Sequence, residues 1–146
     1  MVALQKAVSR ISFYLARRDY SEKELRERLG RSFEQLIVNQ AIEKAQEYGW
    51  IADPVELAKR TYESLNQRKK GYNYIKLYLI KKGLPEVKIR WELELKMACT
   101  LLQSRIQTKP FQSYEDQQKL KRFLLQRGFL SETIQQAFEE VELPEA

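Results

Sequence analysis

Apolar residues recur along the chain at intervals of three and four, and glycine, proline and capping residues interrupt them. Leu4, Ala7, Val8, Ile11, Tyr14 and Leu15 mark one face of a helix over residues 2–17. Ser21 with Glu24 forms an S-x-x-E capping box, which predicts a short helix through Leu25 to Leu29, ended at Gly30. Ser32 with Gln35 reads as a second box. It opens a helix expected to bury Phe33, Leu36, Ile37, Ala41, Ile42 and Ala45 and to close on Gly49 as a left-handed cap. Asp53-Pro54-Val55-Glu56 joins a capping acid to a proline at the first helical position, and predicts a helix past Leu57, Ala58, Thr61, Tyr62 and Leu65 to about Arg68. A short helix lies between Gly71 and Gly83. Leu84-Pro85 is expected to begin another, through Val87, Ile89, Trp91, Leu93 and Leu95. Its pattern lasts to about Gln107, long enough to predict a break near 91–94, and Lys109-Pro110 ends it. Ser113 to Asp116 starts a helix with Leu120, Phe123 and Leu124 on one face and Gly128 at its end. Ser131 is expected to cap the last helix, through Ile134, Ala137, Phe138 and Val141, with Pro144 as its stop. Strand alternation is missing, so the fold class is all-α.

Two stretches align without gaps, Leu79–Ile89 and Leu124–Ile134, at a period of 45 residues. Both read apolar, apolar, any residue, basic, Gly, apolar, and both carry Ile six residues after the Gly. Glu27-Arg28-Leu29-Gly30 is a weaker third copy. The period predicts a tandem array of three three-helix repeats, elongated or curved, with approximate limits 1–49, 50–92 and 93–146. A unit this small buries its apolar face only against a neighbour. The competing explanation is local: cations favour the negative end of a helix dipole and glycine favours the cap.

Charge changes the picture at one place. From Arg68 to Arg90 the chain carries eight Lys or Arg against a single acid, Glu86, a net of +7 where the whole chain of 146 residues is +6. This belt encloses Tyr72, Tyr74 and Tyr78 and suits phosphate or an acidic protein groove; a solvated set of helix ends fits equally. Arg68, Lys69, Lys70, Lys76, Lys81 and Lys82 are the first candidates for partner or DNA contact, although capping alone accounts for Lys81 and Lys82. Lys121, Arg122 and Arg127 are the second group. Arg17 and Arg18 form a third spot, which Asp19, Glu22 and Glu24 neutralise. Tyr72, Tyr74 and Tyr78 could stack on bases or fill a protein groove, while tyrosines at helical spacing more often belong to a core. Trp50 and Trp91 read as packing residues between units.

Several chemistries are excluded. The chain has no histidine, which removes imidazole acid–base catalysis and His metal ligands. Its one cysteine, Cys99, sits among apolar residues, reads as a structural thiol and fits a reducing compartment. Glu92 and Glu94 lie two apart and point to different helix faces. Glu139, Glu140 and Glu142 resemble a solvated acidic tail. No Gly-rich phosphate loop or nucleophile–base set stands out, so no catalytic residue, metal or cofactor is expected. Nor is there an apolar run of the roughly 18 residues a membrane span needs, or a secretory signal. The expectation is a cytoplasmic monomer.

Four stretches in order resemble the RecX family, the bacterial modulators of the RecA recombinase. They are Leu15-Ala-Arg-Arg-Asp-Tyr-Ser-Glu-Lys-Glu-Leu-Arg-Glu-Arg-Leu29; Glu47-Tyr-Gly-Trp-Ile-Ala-Asp53 with Leu57-Ala58; Lys70-Gly71 to Lys82-Gly83-Leu84; and Lys119-Leu-Lys-Arg-Phe-Leu-Leu-Gln-Arg-Gly-Phe129. The resemblance implies tandem three-helix repeats and a non-enzymatic protein. It also implies a partner, the RecA–DNA filament, in whose groove the chain would lie, restraining filament growth, ATP hydrolysis and strand exchange in DNA repair and recombination. The chain departs from the family at Ala52, where an acid is usual, and at Leu57, where an aromatic is. Tyr74, Leu77 and Tyr78 stand where Arg, Gln and Glu are frequent, so charged contacts do not carry over onto Tyr74. Two other functions fit the residues: a stand-alone DNA-binding module using 72–82 as a recognition helix, and a helical protein-interaction adaptor, which leaves the belt unexplained.

Overall fold

A computed structural model describes residues 2–110 and 112–141, so the Pro144 stop and Glu142 lie outside the described residues. Among those residues there are eight α-helices and no strand: α1 Val2–Arg17, α2 Glu22–Leu29, α3 Gln35–Glu47, α4 Pro54–Gln67, α5 Tyr72–Lys81, α6 Trp91–Thr108, α7 Tyr114–Gln126 and α8 Ser131–Glu140. By compactness the chain divides in two. The first unit is Met1–Lys59 with Leu79–Pro85, and the second is Arg60–Tyr78 with Glu86–Ala146. Residues 50–92, expected as the central repeat, contribute to both.

The first unit packs α1, α2 and α3 around Ala7, Ile11, Leu25, Leu29, Val38, Ala41, Ile42 and Ala45, with Leu4, Val8, Tyr14, Leu15 and Phe33 at the edge. Each large side chain so buried stabilises the fold by about 1.5–3 kcal/mol. The Ser21 box forms in full: the Ser21 hydroxyl accepts the Glu24 N–H at 3.1 Å, and Glu24 Oε1 accepts the Ser21 N–H at 3.1 Å. The second unit builds its core from Ala98, Leu101, Leu102, Ile106, Leu124, Phe129, Ile134, Ala137 and Val141.

Four expectations need correction. The Ser32–Gln35 box is not made, because the chain enters α3 in extended backbone at Glu34, which makes no side-chain cap. Leu36 is 63% exposed while Val38 takes the buried position: Val38, Ala41, Ile42 and Ala45 follow at intervals of three and four, and Leu36, two residues before Val38, points away from that stripe. No helix begins at Leu84-Pro85; residues 84–90 are non-helical and α6 starts only at Trp91, so the break precedes 91–94. Leu130, not Ser131, is the N-cap of α8. Trp50 and Trp91 are 38% and 50% exposed, with the Trp50 ring 5.0 Å from that of Tyr48. By contrast, Asp53 caps α4 through the N–H groups of Val55 and Glu56, and Ser113 caps α7 through that of Asp116.

The repeat is visible in how helices end. At the ends of α3, α5 and α7, Gly49, Gly83 and Gly128 adopt φ values of 71°, 70° and 102°. The next N–H bonds back to the carbonyl five residues earlier: Trp50 to Ala45, Leu84 to Leu79, Phe129 to Leu124. The aligned positions of the 45-residue repeat are the positions that make these bonds. Helix α4 ends the same way without glycine: Lys69 takes φ 68° and the Lys70 N–H bonds to the Leu65 carbonyl. Gly30, the weaker copy, has φ −63° and stays right-handed.

Candidate binding surface

The turn from Arg68 to Gly71 is tied to the turn that ends α7. Arg127 donates from Nε to the Lys69 carbonyl at 3.1 Å and from Nη2 to the Arg68 carbonyl at 2.8 Å. In return the Gly71 N–H donates to the Arg127 carbonyl and the Asn73 N–H to the Gly128 carbonyl, both at 2.8 Å. Two capping turns are thereby joined backbone to backbone. This arrangement brings Arg68, Lys69, Lys70 and Arg127 together within the second unit, with Tyr74 beside Gly128.

The candidate cations are not equivalent. Arg68, Lys69, Lys76 and Arg122 are exposed. Lys70, partly buried, sits with Nζ 4.6 Å from the Tyr74 ring centre in a cation–π contact. Tyr74 is 38% exposed, with its ring 6.5 Å from that of Tyr78 and near parallel to it. Lys121 lies 5.3 Å from the Phe138 ring. Arg127 serves the turn itself, through both donors. In the first unit Lys81 is exposed, but Lys82 is partly buried and donates to Glu24 Oε2 at 3.2 Å, while its carbonyl accepts the Ser21 hydroxyl. Arg18 reaches the same carboxylate oxygen at 2.9 Å. Burial alone would raise the Glu24 carboxyl, but the bonds from Arg18, Ser21 and Lys82 outweigh it and hold the group below its ordinary value.

Beside the turn lies Glu94, which the sequence reading weighed only as half of a carboxylate pair with Glu92. Glu94 is fully buried and accepts three hydrogen bonds: Tyr62 hydroxyl at 3.0 Å, Asn66 Nδ2 at 2.7 Å and the Tyr72 N–H at 2.6 Å. It therefore anchors α4 and α6 to the first turn of α5. Burial pushes its carboxyl above the usual range, against the lowering effect of the Tyr72 and Tyr62 bonds. Burial, with Glu94 close by, also pushes the Tyr62 phenol up. The signal was present: Glu94, Ala98 and Leu101 lie on one buried helical stripe, so a lone acid falls where an apolar residue belongs. The Tyr72 hydroxyl meets Glu86 at 3.2 Å, which leaves the ring less available for stacking. On α5, Leu77 and Ile80 are 67% and 60% exposed, while Ile75 and Leu79 take the buried face.

The described residues hold no His, Cys, Asp and Glu cluster able to ligate a metal, and no helix long and apolar enough to cross a membrane. Burial and the nearby Glu140 push the Cys99 thiol up, opposite to what a nucleophile needs.

Comparison with known proteins bears on the family and the fold. Residues 13–44 match the sequence profile of the RecX first three-helix domain, and residues 92–138 that of the RecX third three-helix domain. Regulatory protein RecX of Actinobacillus pleuropneumoniae serotype 5b (strain L20) is 31% identical over 131 residues, covering 86% of each chain. Regulatory protein RecX of Clostridium perfringens (strain 13 / Type A) is 34% identical over 120 residues, 75% of this chain and 56% of that one. The fold is that of the crystal structure of RecX from Lactobacillus salivarius, with a TM-score of 0.79 at 23% identity over 94% of this chain and 96% of that one. A second crystal structure, of regulatory protein RecX, gives 0.79 at 22% over 94% and 74%. With an all-α repeat fold, matching first and third domains and a relative alike over most of both lengths, the chain belongs to the RecX family of regulatory proteins.

Proposed function

We propose that this chain regulates the RecA recombinase by binding the RecA–DNA filament in the cytoplasm, restraining ATP hydrolysis and strand exchange without catalysing a reaction itself. What carries the proposal is the likeness, over 86% of the chain, to proteins named regulatory protein RecX. The second unit supplies a surface suited to the role. Lys69, Lys70, Lys76 and Arg122 face solvent or an exposed tyrosine, on a turn and helices held in place by Arg127 and Glu94. A fixed turn presents its charge without the entropy cost of ordering a loop on binding. Weak contacts spread over three repeats, at 1–49, 50–92 and 93–146, would add through effective concentration. The test is co-sedimentation with RecA on single-stranded DNA, alongside ATPase and strand-exchange rates. The chain should pellet with the filament more than with DNA alone and should slow both rates, and Lys69→Glu/Lys70→Glu/Lys76→Glu should weaken pelleting at unchanged helicity. No effect of the wild-type chain on either rate refutes the proposal.

A stand-alone duplex-binding module using α5 as a recognition helix has less support. The exposed positions of α5 include Leu77 and Ile80, leaving Asn73, Lys76 and Lys81 as its outward polar groups. Base-edge readout needs hydrogen-bonding groups where these aliphatics stand. Tight, salt-sensitive duplex binding without RecA would favour that module.

A further inference from the structure

Helix α1 carries Lys6, Arg10 and Arg17 and no acid. At 3.6 residues per turn, Val2, Lys6, Arg10, Phe13 and Arg17 fall within an arc of about 80°. The arc lies opposite the positions that enter the first core, Leu4, Ala7, Val8, Ile11, Tyr14 and Leu15. All five residues are exposed, Phe13 by 58%. The Arg17 guanidinium lies 5.3 Å from the Phe13 ring centre, and that of Arg10 5.1 Å from the Phe33 ring. None of the three cations is in an ion pair among the described residues, in contrast to Arg18, which is tied to Glu24.

We infer that the outer face of α1 binds single-stranded nucleic acid, with phosphates along Lys6, Arg10 and Arg17 and a base stacked on Phe13. An exposed aromatic between unneutralised cations offers the two interactions such strands use, stacking and backbone charge. A duplex covers its base faces and would leave Phe13 idle. An anionic membrane is the other natural ligand of a basic helix, but a helix lying on a membrane buries its apolar face there. The apolar face of α1 is already in the core, and its outer arc has only Val2 and Phe13 to insert. From Lys6 to Arg17 the stripe is about 16 Å long, enough for a few nucleotides. This surface does not depend on RecA.

The test is fluorescence anisotropy of a labelled oligothymidylate with the full chain over a range of salt, in parallel with pelleting on phosphatidylglycerol vesicles. Phe13→Ala should weaken oligothymidylate binding roughly tenfold or more, and Phe13→Trp should retain it. Lys6→Ala/Arg10→Ala/Arg17→Ala should flatten the log–log salt dependence by about 2, from about 0.7 per lost phosphate contact. The side chains are exposed, and circular dichroism should show unchanged helicity. The inference is overturned if the wild-type chain fails to bind, or if the variants bind like wild type. It is also overturned if the substitutions reduce vesicle binding and leave oligothymidylate binding intact.

Discussion

Replacing Glu94 tests whether one buried acid holds the second unit together. Glu94→Ala removes the acceptor for Tyr62, Asn66 and Tyr72. Tyr62 and Asn66 are fully buried, so each donor left without a partner costs about 1–3 kcal/mol; the half-buried Tyr72 N–H can turn to water. Against that, the variant no longer desolvates a carboxylate, which costs up to several kcal/mol. The net expectation is a loss of about 2–4 kcal/mol, or roughly 6–12 °C in Tm at about 3 °C per kcal/mol for a chain of this size. Glu94→Gln separates charge from hydrogen bonding. Its amide must turn its NH2 group away from the Tyr72 N–H, which cannot accept. The Tyr62 hydroxyl can accept instead, whereas a flip that offered Asn66 Oδ1 would give up the bond from Asn66 Nδ2 to the Lys70 carbonyl. The glutamine variant should therefore be the milder of the two.

The pH dependence has a definite sign. The folded-state pKa of Glu94 is raised, so its contribution is complete below the ordinary glutamate value of about 4.3 and is lost as pH rises through the folded value. The stability gap between wild type and Glu94→Gln should narrow from pH 4 to pH 7. Thermal melts followed by circular dichroism across that range give both quantities. A Glu94→Ala chain melting within about 2 °C of wild type would refute the anchoring role, since the expected net loss is roughly 6 °C or more.

Glu24 should behave in the opposite sense. Its lowered value stabilises the first unit above about pH 4.3 and ceases to do so as pH falls through the folded value, so wild type and Glu24→Gln should converge on acidification in urea titrations. Gly71→Ala places a methyl group on the backbone of Gly128 and Phe129, where neither side can yield, and should cost more than about 2 kcal/mol. Gly49→Ala meets no atom within 4 Å and should lose only the left-handed backbone term of about 1 kcal/mol. Equal Tm values for the two alanine variants would contradict the turn-to-turn packing.

Much of this protein was legible in its sequence because helix signals are local. Spacing placed α1, the Ser21 box set α2, Asp53-Pro54 opened α4, and the repeated basic-Gly pairs marked the ends of α5 and α7. The RecX resemblance, too, rested on short stretches read in order. Harder were features decided by what a residue meets far along the chain. Arg127 and Arg122 look alike in sequence, yet one is fixed on the carbonyls of Arg68 and Lys69 and the other faces solvent. Lys82 looks like Lys81 until Glu24 is placed beside it. Lys69 ends α4 in a conformation that suits glycine, and the Arg127 bond to its carbonyl helps hold that turn. Glu94 looks like one more helix charge until the chain brings it three donors. Local propensity and periodicity need only neighbours within one or two turns, so the sequence alone determined which segments are helices and where most end. Whether a charged side chain is a surface or a support depends on burial and on partners dozens of residues away, and only the tertiary structure decided that.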